Sequence, residues 1–276
     1  MNAFLEMISA DFMQRAFIAG GFIALSCGAL GIFLVLRRYA MIGEGLAHSS
    51  IAAVGVALFL GLTPLVVAVP MAAVSSYLII RLSRKTAVYG EIAVGLVSSA
   101  SMAVGVLFAS IGGGFSQDLY SYLVGSISAI GQDEVWFAAV LSGFVLSVVV
   151  VFYYDLFVIA YDEDFARVSG RRTGVLNAVL AALTGVTVVL GVRIVGAVLV
   201  TGLIIFPAIT ALRFSRSFKA ALFLAGLIGL VSVLAGIVIS YFFYLPSGAT
   251  IVLVNVILFG TAGALFAFIK LVKRSR

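Results

Sequence analysis

No charged residue occurs between Ala16 and Leu36, between Ser49 and Ile80, or between Ala220 and Ile269. Few folds can use such runs. In water they would have to be buried on every side, and a chain of 276 residues has too little polar sequence to wrap them. In a bilayer a helix satisfies its own backbone groups, and about 20 apolar residues cross the hydrocarbon. Composition agrees, with 63% hydrophobic and 10% charged residues where soluble domains carry about 25% charged. Mean hydropathy is +1.27. The chain therefore reads as an all-α polytopic membrane protein in which residues 1–276 form a single transmembrane domain.

Apolar runs bounded by charge or turn residues place spans near 15–37, 43–61, 64–81, 90–111, 136–158, 174–191, 195–213, 220–243 and 248–270. That makes nine, or eight if one short pair is re-entrant. Tight turns are expected at Leu62-Thr63-Pro64, Gly191-Val192-Arg193 and Leu245-Pro246-Ser247-Gly248. Residues 1–14 form a short leading segment without the basic start of a signal peptide. With nine spans, Arg37-Arg38, Arg81 with Arg84-Lys85, Arg167 with Arg171-Arg172, Arg213 with Arg216 and Lys219, and the tail Lys270, Lys273, Arg274 and Arg276 share one side. The positive-inside rule makes that side cytoplasmic, so the N-terminus is expected outside and the C-terminus inside. The outer side receives 112–133, which holds Asp118 and Asp133 but no Lys or Arg, and Trp136 falls at the outer interface. Arg193 also lies outside, as an interface residue or as part of an entrance gate. A net charge of +6 and a pI near 9.6 would suit nucleic acid. The basic residues sit at span ends, however, so the expected partner is the lipid bilayer and no nucleic acid.

Ionisable groups inside spans are costly and mark function. Here they are Glu44, His48 and Glu91. A spacing of four puts Glu44 and His48 on one helix face, where they can share a metal ion or hydrogen-bond to each other. Glu44 lies six residues after Arg38 and Glu91 six after Lys85. At about 1.5 Å per residue both carboxylates then lie about 9 Å deep, with His48 a turn deeper. Converging from two helices, the three suit zinc, manganese or ferrous iron. The structural readings stay open: a satisfied Glu-His pair, and Glu91 snorkelling to the interface. Ser98, Ser99 and Asn255 can add ligands or bond helix to helix. Cys27 is the single cysteine, which excludes a thiolate cluster. Gly112-Gly113-Gly114 lacks the lysine of a phosphate loop, so no nucleotide is bound that way. Asp118 can attract a cation from outside or be a solvated loop acid. In the inner stretch 161–172, YDEDFARVSGRR, Asp162, Glu163 or Asp164 can start a short helix that Gly170 ends. Such a helix can insert into a cytosolic partner, or the segment can be a solvated loop.

These residues resemble the permease subunits of ATP-binding-cassette importers for zinc, manganese and iron. Gly31 to Ser49, GIFLVLRRYAMIGEGLAHS, is similar to a helix ending in a basic pair followed by G-D-x-L-x-H. EIAVG from Glu91 resembles the family's acidic residue with a glycine four later, and DLYSYLVG from Asp118 resembles D-L-x-x-Y-L-x-G. DFARVSG from Asp164 is similar to D-x-A-x-x-x-G, and VGAVLVTGLIIFPAITA from Val195 to V-G-x-L-L-x-x-x-L-L-x-x-P-A-x-x-A. Pro246-Ser247-Gly248 resembles the P-x-G before the last helix. The matches run in order from about residue 20 to residue 255.

The resemblance implies a homodimeric channel in the cell membrane, with cytosolic ATP-binding cassette subunits beneath it and an extracytoplasmic metal-binding protein above. It makes Glu44, His48 and Glu91 the ion site; Ser99 and Asn255 are lesser candidates from the reading of the residues alone. It assigns ATPase coupling to Asp162, Glu163, Asp164, Phe165, Ala166 and Gly170. The chain then has no resident cofactor and is no enzyme; the metal ion (Zn, Mn or Fe) is cargo. Glu44 replaces the family's Asp, and Ser99 stands where some zinc-importing members have histidine. One imidazole per chain weakens the case for zinc over manganese or ferrous iron. Two other functions fit the same residues: a carrier driven by an ion gradient, with Glu44 and His48 relaying protons, and an ABC permease for an iron chelate.

Overall fold

The computed structural model describes residues 2–85, 90–112, 125, 130–197 and 199–274. Among these the helices are α1 (Asn2–Ser9), α2 (Asp11–Leu36), α3 (Ile42–Leu60), α4 (Pro64–Lys85), α5 (Gly90–Ile111), α6 (Gln132–Val151), α7 (Tyr153–Tyr161), α8 (Glu163–Val168), α9 (Thr173–Val195), α10 (Val200–Phe214), α11 (Phe218–Phe243) and α12 (Ser247–Arg274). Eight of the described helices are long and apolar enough to cross a bilayer, namely α2, α3, α4, α5, α6, α9, α11 and α12. The chain is an all-α multi-pass membrane protein.

Two expected boundaries move. Helix α9 continues through Gly191-Val192-Arg193 to Val195, and the chain turns at Gly196 with φ 91°. A helix-interior glycine costs only about 1 kcal/mol, less than leaving backbone groups unpaired in apolar surroundings. The glycine also makes room: a Cβ at Gly191 would press into Val200 at the start of α10. As a result α10 has only 15 residues, too short for a hydrocarbon layer of about 30 Å. The nine expected spans are thus eight long helices and one short apolar one. The expected span 136–158 is interrupted at Phe152, where φ −93° and ψ 19° part α6 from α7.

Helix α2 is the axis of the bundle, packed against α6, α9, α10 and α11. Its small residues permit this: a Cβ at Gly28 would meet the Ala225 carbonyl oxygen at 2.5 Å. The closest helix pair is α3 with α5. A Cβ at Gly55 would meet the Gly105 carbonyl oxygen, again at 2.5 Å, so the two backbones touch. Gly45 faces Val94, Ser49 Oγ bonds Ser101 Oγ at 3.2 Å, and Gly55 faces Gly105, so α3 and α5 run parallel. In this register Glu44 and Glu91 lie within about one turn of each other along the helix axes.

Trp136, expected at the outer interface, is exposed at the start of α6. Arg193 at the end of α9 forms an ion pair with Glu134 in the first turn of α6, tying two helix ends together.

Candidate functional site

Glu44 lies in the first turn of α3 and is exposed, while His48, a turn further on, is half-buried. His48 Nδ1 is buried and has no hydrogen-bond partner. No hydrogen bond or ion pair joins Glu44 to His48, so the satisfied pair that their spacing allows is not formed. His48 instead lines a cavity of about 650 Å³ with Ser98, Ser99, Met102 and Leu107 of α5. Glu91 is exposed in the first turn of α5. At helical spacing above it come Gly95, Ser98 and Ser99, then Met102, a stripe of small and polar groups.

Among the described residues, no three of His, Cys, Asp and Glu lie together closely enough within one chain to hold an ion. The three-armed cluster expected from depth matching is therefore not assembled inside the protomer. The reason is geometric: the α3–α5 seam is filled by Gly45, Val94, Ser49 and Ser101, and Glu44 and Glu91 remain on the exposed surface. Asn255 lies elsewhere. It accepts from Ser232 Oγ at 2.8 Å and donates to the Ile251 carbonyl at 3.2 Å, buried between α11 and α12. Asp118 and the rest of its motif up to Val124 fall outside the described residues; Gly125, at its end, has φ 79°.

The stretch 161–172, expected on the cytoplasmic side, contains α8. Asp162 caps it by accepting the Phe165 N–H at 2.9 Å, and Gly170, with φ 77°, follows it in the left-handed region that glycine tolerates. Ala166 is buried, whereas Phe165 and Val168 are 61% and 88% exposed. Asp164 pairs with Arg167 at 3.5 Å, and Arg171 reaches Asp155 on α7. Glu163 faces inward. One of its oxygens accepts from Arg37 Nη2 at 2.5 Å, the other from Asn177 Nδ2 at 3.1 Å. Arg37 Nη1 also donates to Asn177 Oδ1, and the Arg37 side chain is only 5% exposed. In the sequence Arg37 is just one of the orienting charges. The signal for its role is Asn177, an amide in the apolar run of α9 close after Arg171-Arg172.

Residues 9–265 match the ABC 3 transport family. The chain belongs to this family. Among its relatives is the manganese transport system membrane protein MntC of Halalkalibacterium halodurans, 29% identical over 94% of this chain and 89% of that one. Another is the high-affinity zinc uptake system membrane protein ZnuB of Haemophilus influenzae, 27% identical over 90% of this chain and 95% of the relative. Among solved structures, a chain of PsaBC from Streptococcus pneumoniae, in complex with Fab, superposes with a TM-score of 0.85 at 25% identity, covering 95% of each chain. Family membership makes the protein a transport component of the membrane rather than an enzyme.

Proposed function

We propose that this chain is the permease subunit of an ATP-driven importer for a divalent transition-metal ion, and that two copies enclose the pathway. The observation that carries the reading is the α3–α5 surface. Ser99 lines a groove with His48, whose Nδ1 is unpartnered, and Glu44 and Glu91 are exposed in the first turns of the same two helices. Hydrocarbon cannot cover carboxylates at acceptable cost, so such groups face protein or a water-filled path. A second copy supplies that cover, because in a twofold dimer the same patch meets itself. The small-residue stripe Gly95, Ser99 and Ala103 on α5 suits close approach of another helix.

In this reading Glu44, His48 and Glu91 hold the ion, with Ser99 beside them, and Asn255 serves helix packing. The names of MntC and ZnuB point to manganese and zinc. One imidazole among carboxylates and hydroxyls favours manganese or ferrous iron over zinc. Helix α8 is the docking element for a cytosolic ATP-binding cassette subunit, with Phe165 and Val168 as the inserted side chains. An extracytoplasmic metal-binding protein delivers the ion from outside. ATP-driven closure of the partner subunits then turns the pathway inward, and the site binds only transiently so that the ion leaves.

The test is the metal content of the purified permease–ATPase complex, measured for wild type and for His48→Ala. Loss of bound manganese in the variant is expected; equal content would sink the site. Ser99→Cys should give a disulfide-linked dimer in native membranes, and its absence would remove the dimeric pathway. Uptake by vesicles that hold neither ATP nor the partner subunits would instead support the gradient-driven carrier.

A further inference from the structure

Helix α8 is six residues long, far below the length at which a helix is stable by itself. Ala166 packs into the bundle, but the polar hold on α8 comes through Glu163. That carboxylate is gripped from two directions, by Arg37 at the cytoplasmic end of α2 and by Asn177 in the second turn of α9. Arg37 also donates to the Asn177 side chain, closing a triangle of three elements. The partners lie 126 and 140 residues from Arg37 in sequence. An arginine 5% exposed cannot leave this arrangement without stranding a charge in apolar surroundings. A displacement of α8 therefore carries the lower ends of α2 and α9 with it.

Helix α2 hands such a displacement on without a compressible layer between. Gly31 lies directly on the Ile204 carbonyl of α10, with Ala208 next to it. The same turn of α10, through Thr201 Oγ1 and the Ile204 side chain, abuts Gly43, the residue before Glu44. Close-packed interiors pass strain on rather than absorbing it.

Resting on the importer reading above, we propose that Arg37, Glu163 and Asn177 form the linkage that converts movement of α8 into movement of the ion-binding turn of α3. Arg37 and Asn177 are positioning residues: neither touches the ion nor the partner subunit. The route runs from α8 through Arg37 to α2, across the Gly31–Ile204 contact to α10, and from Thr201 and Ile204 to Gly43.

The experiment uses the permease reconstituted in proteoliposomes with its ATPase subunits and binding protein, with manganese uptake and ATP hydrolysis recorded together. Arg37→Gln should lower the ions moved per ATP by about fivefold or more, the lower bound of a typical coupling energy. Manganese bound per protomer at rest should stay at the wild-type level. Arg37→Lys should recover part of the ratio, and Asn177→Leu, which keeps the charge pair, should lower it in the same direction. Hydrogen exchange on the purified permease should rise at α8 in Arg37→Gln. An unchanged ratio in Arg37→Gln and Asn177→Leu overturns the linkage, as does a parallel fall of uptake and hydrolysis. Wild type that shows no ATP-dependent uptake would overturn the importer reading itself, and the linkage with it.

Discussion

Helices α5 and α6 are equally uncovered, with 22% of the most apolar window of each buried inside the protomer, yet their open faces differ in kind. That of α6 shows Phe137, Val140, Phe144 and Val150, and its mid-span exposed hydroxyl, Ser147, donates back to the Gly143 carbonyl of its own helix at 2.7 Å. Nothing there needs a partner other than lipid. On α5 the open face includes Glu91, Gly95 and Ser99, beside the half-buried His48 of α3. Hydropathy averages do not separate the two, at 2.1 for α5 and 2.2 for α6. The lesson is that a membrane face is read from where its few polar groups fall, not from its mean apolarity.

Five substitutions bear on this contrast. The largest effect is expected at the polar face: Glu44→Gln should cut manganese uptake by about 100-fold or more, since removing even the outer partner of a metal ligand costs about 10–100-fold. Uptake within a few-fold of wild type would mean that the exposed carboxylate is not part of the path. Next, one acid placed near the middle of each helix tests what the faces touch. Val140→Asp on α6 should reduce membrane-inserted protein steeply, because a mid-span Asp costs about 2.5–3.5 kcal/mol on the insertion scale. Ser99→Asp on α5 should insert to within about twofold of wild type, as a substitution does where water or protein already waits. Equal loss in both would make the α5 face a lipid face. The smallest effect compares two serines. Ser101→Ala removes the bond to Ser49 that joins α5 to α3 and should cost about 1 kcal/mol in detergent unfolding. Ser147→Ala on α6 should stay within about 0.5 kcal/mol.

Two of the ion pairs add a second contrast. Arg193 with Glu134 joins α9 to α6 outside, and Arg37 with Glu163 joins α2 to α8 inside. The outer pair links two span ends directly. The inner one holds a short helix whose far side, Phe165 and Val168, is open. The sequence offered Arg37 only as an orienting charge and Arg193 as an interface residue or part of an entrance gate, because pairing over 126 and 59 residues leaves no local pattern.

By itself the sequence determined that the chain crosses a membrane many times, since charge-free runs of 20 residues and more have no other stable solution. It also determined the α8 element, because an acidic cap at Asp162 and a glycine at 170 act on neighbours a few residues away. Only the tertiary structure decided that α9 runs through Gly191, that α10 is short, and that Phe152 breaks a span, for helix ends among packed helices follow backbone satisfaction and close contact rather than local propensity. It alone decided, too, that Glu44 and Glu91 stay exposed in the first turns of their helices and form no cluster with His48 within one chain. Depth along a helix follows from residue counting at a fixed rise. Direction around it depends on which neighbours fill the other sides, and for α3 and α5 that is set by two glycines whose backbones meet.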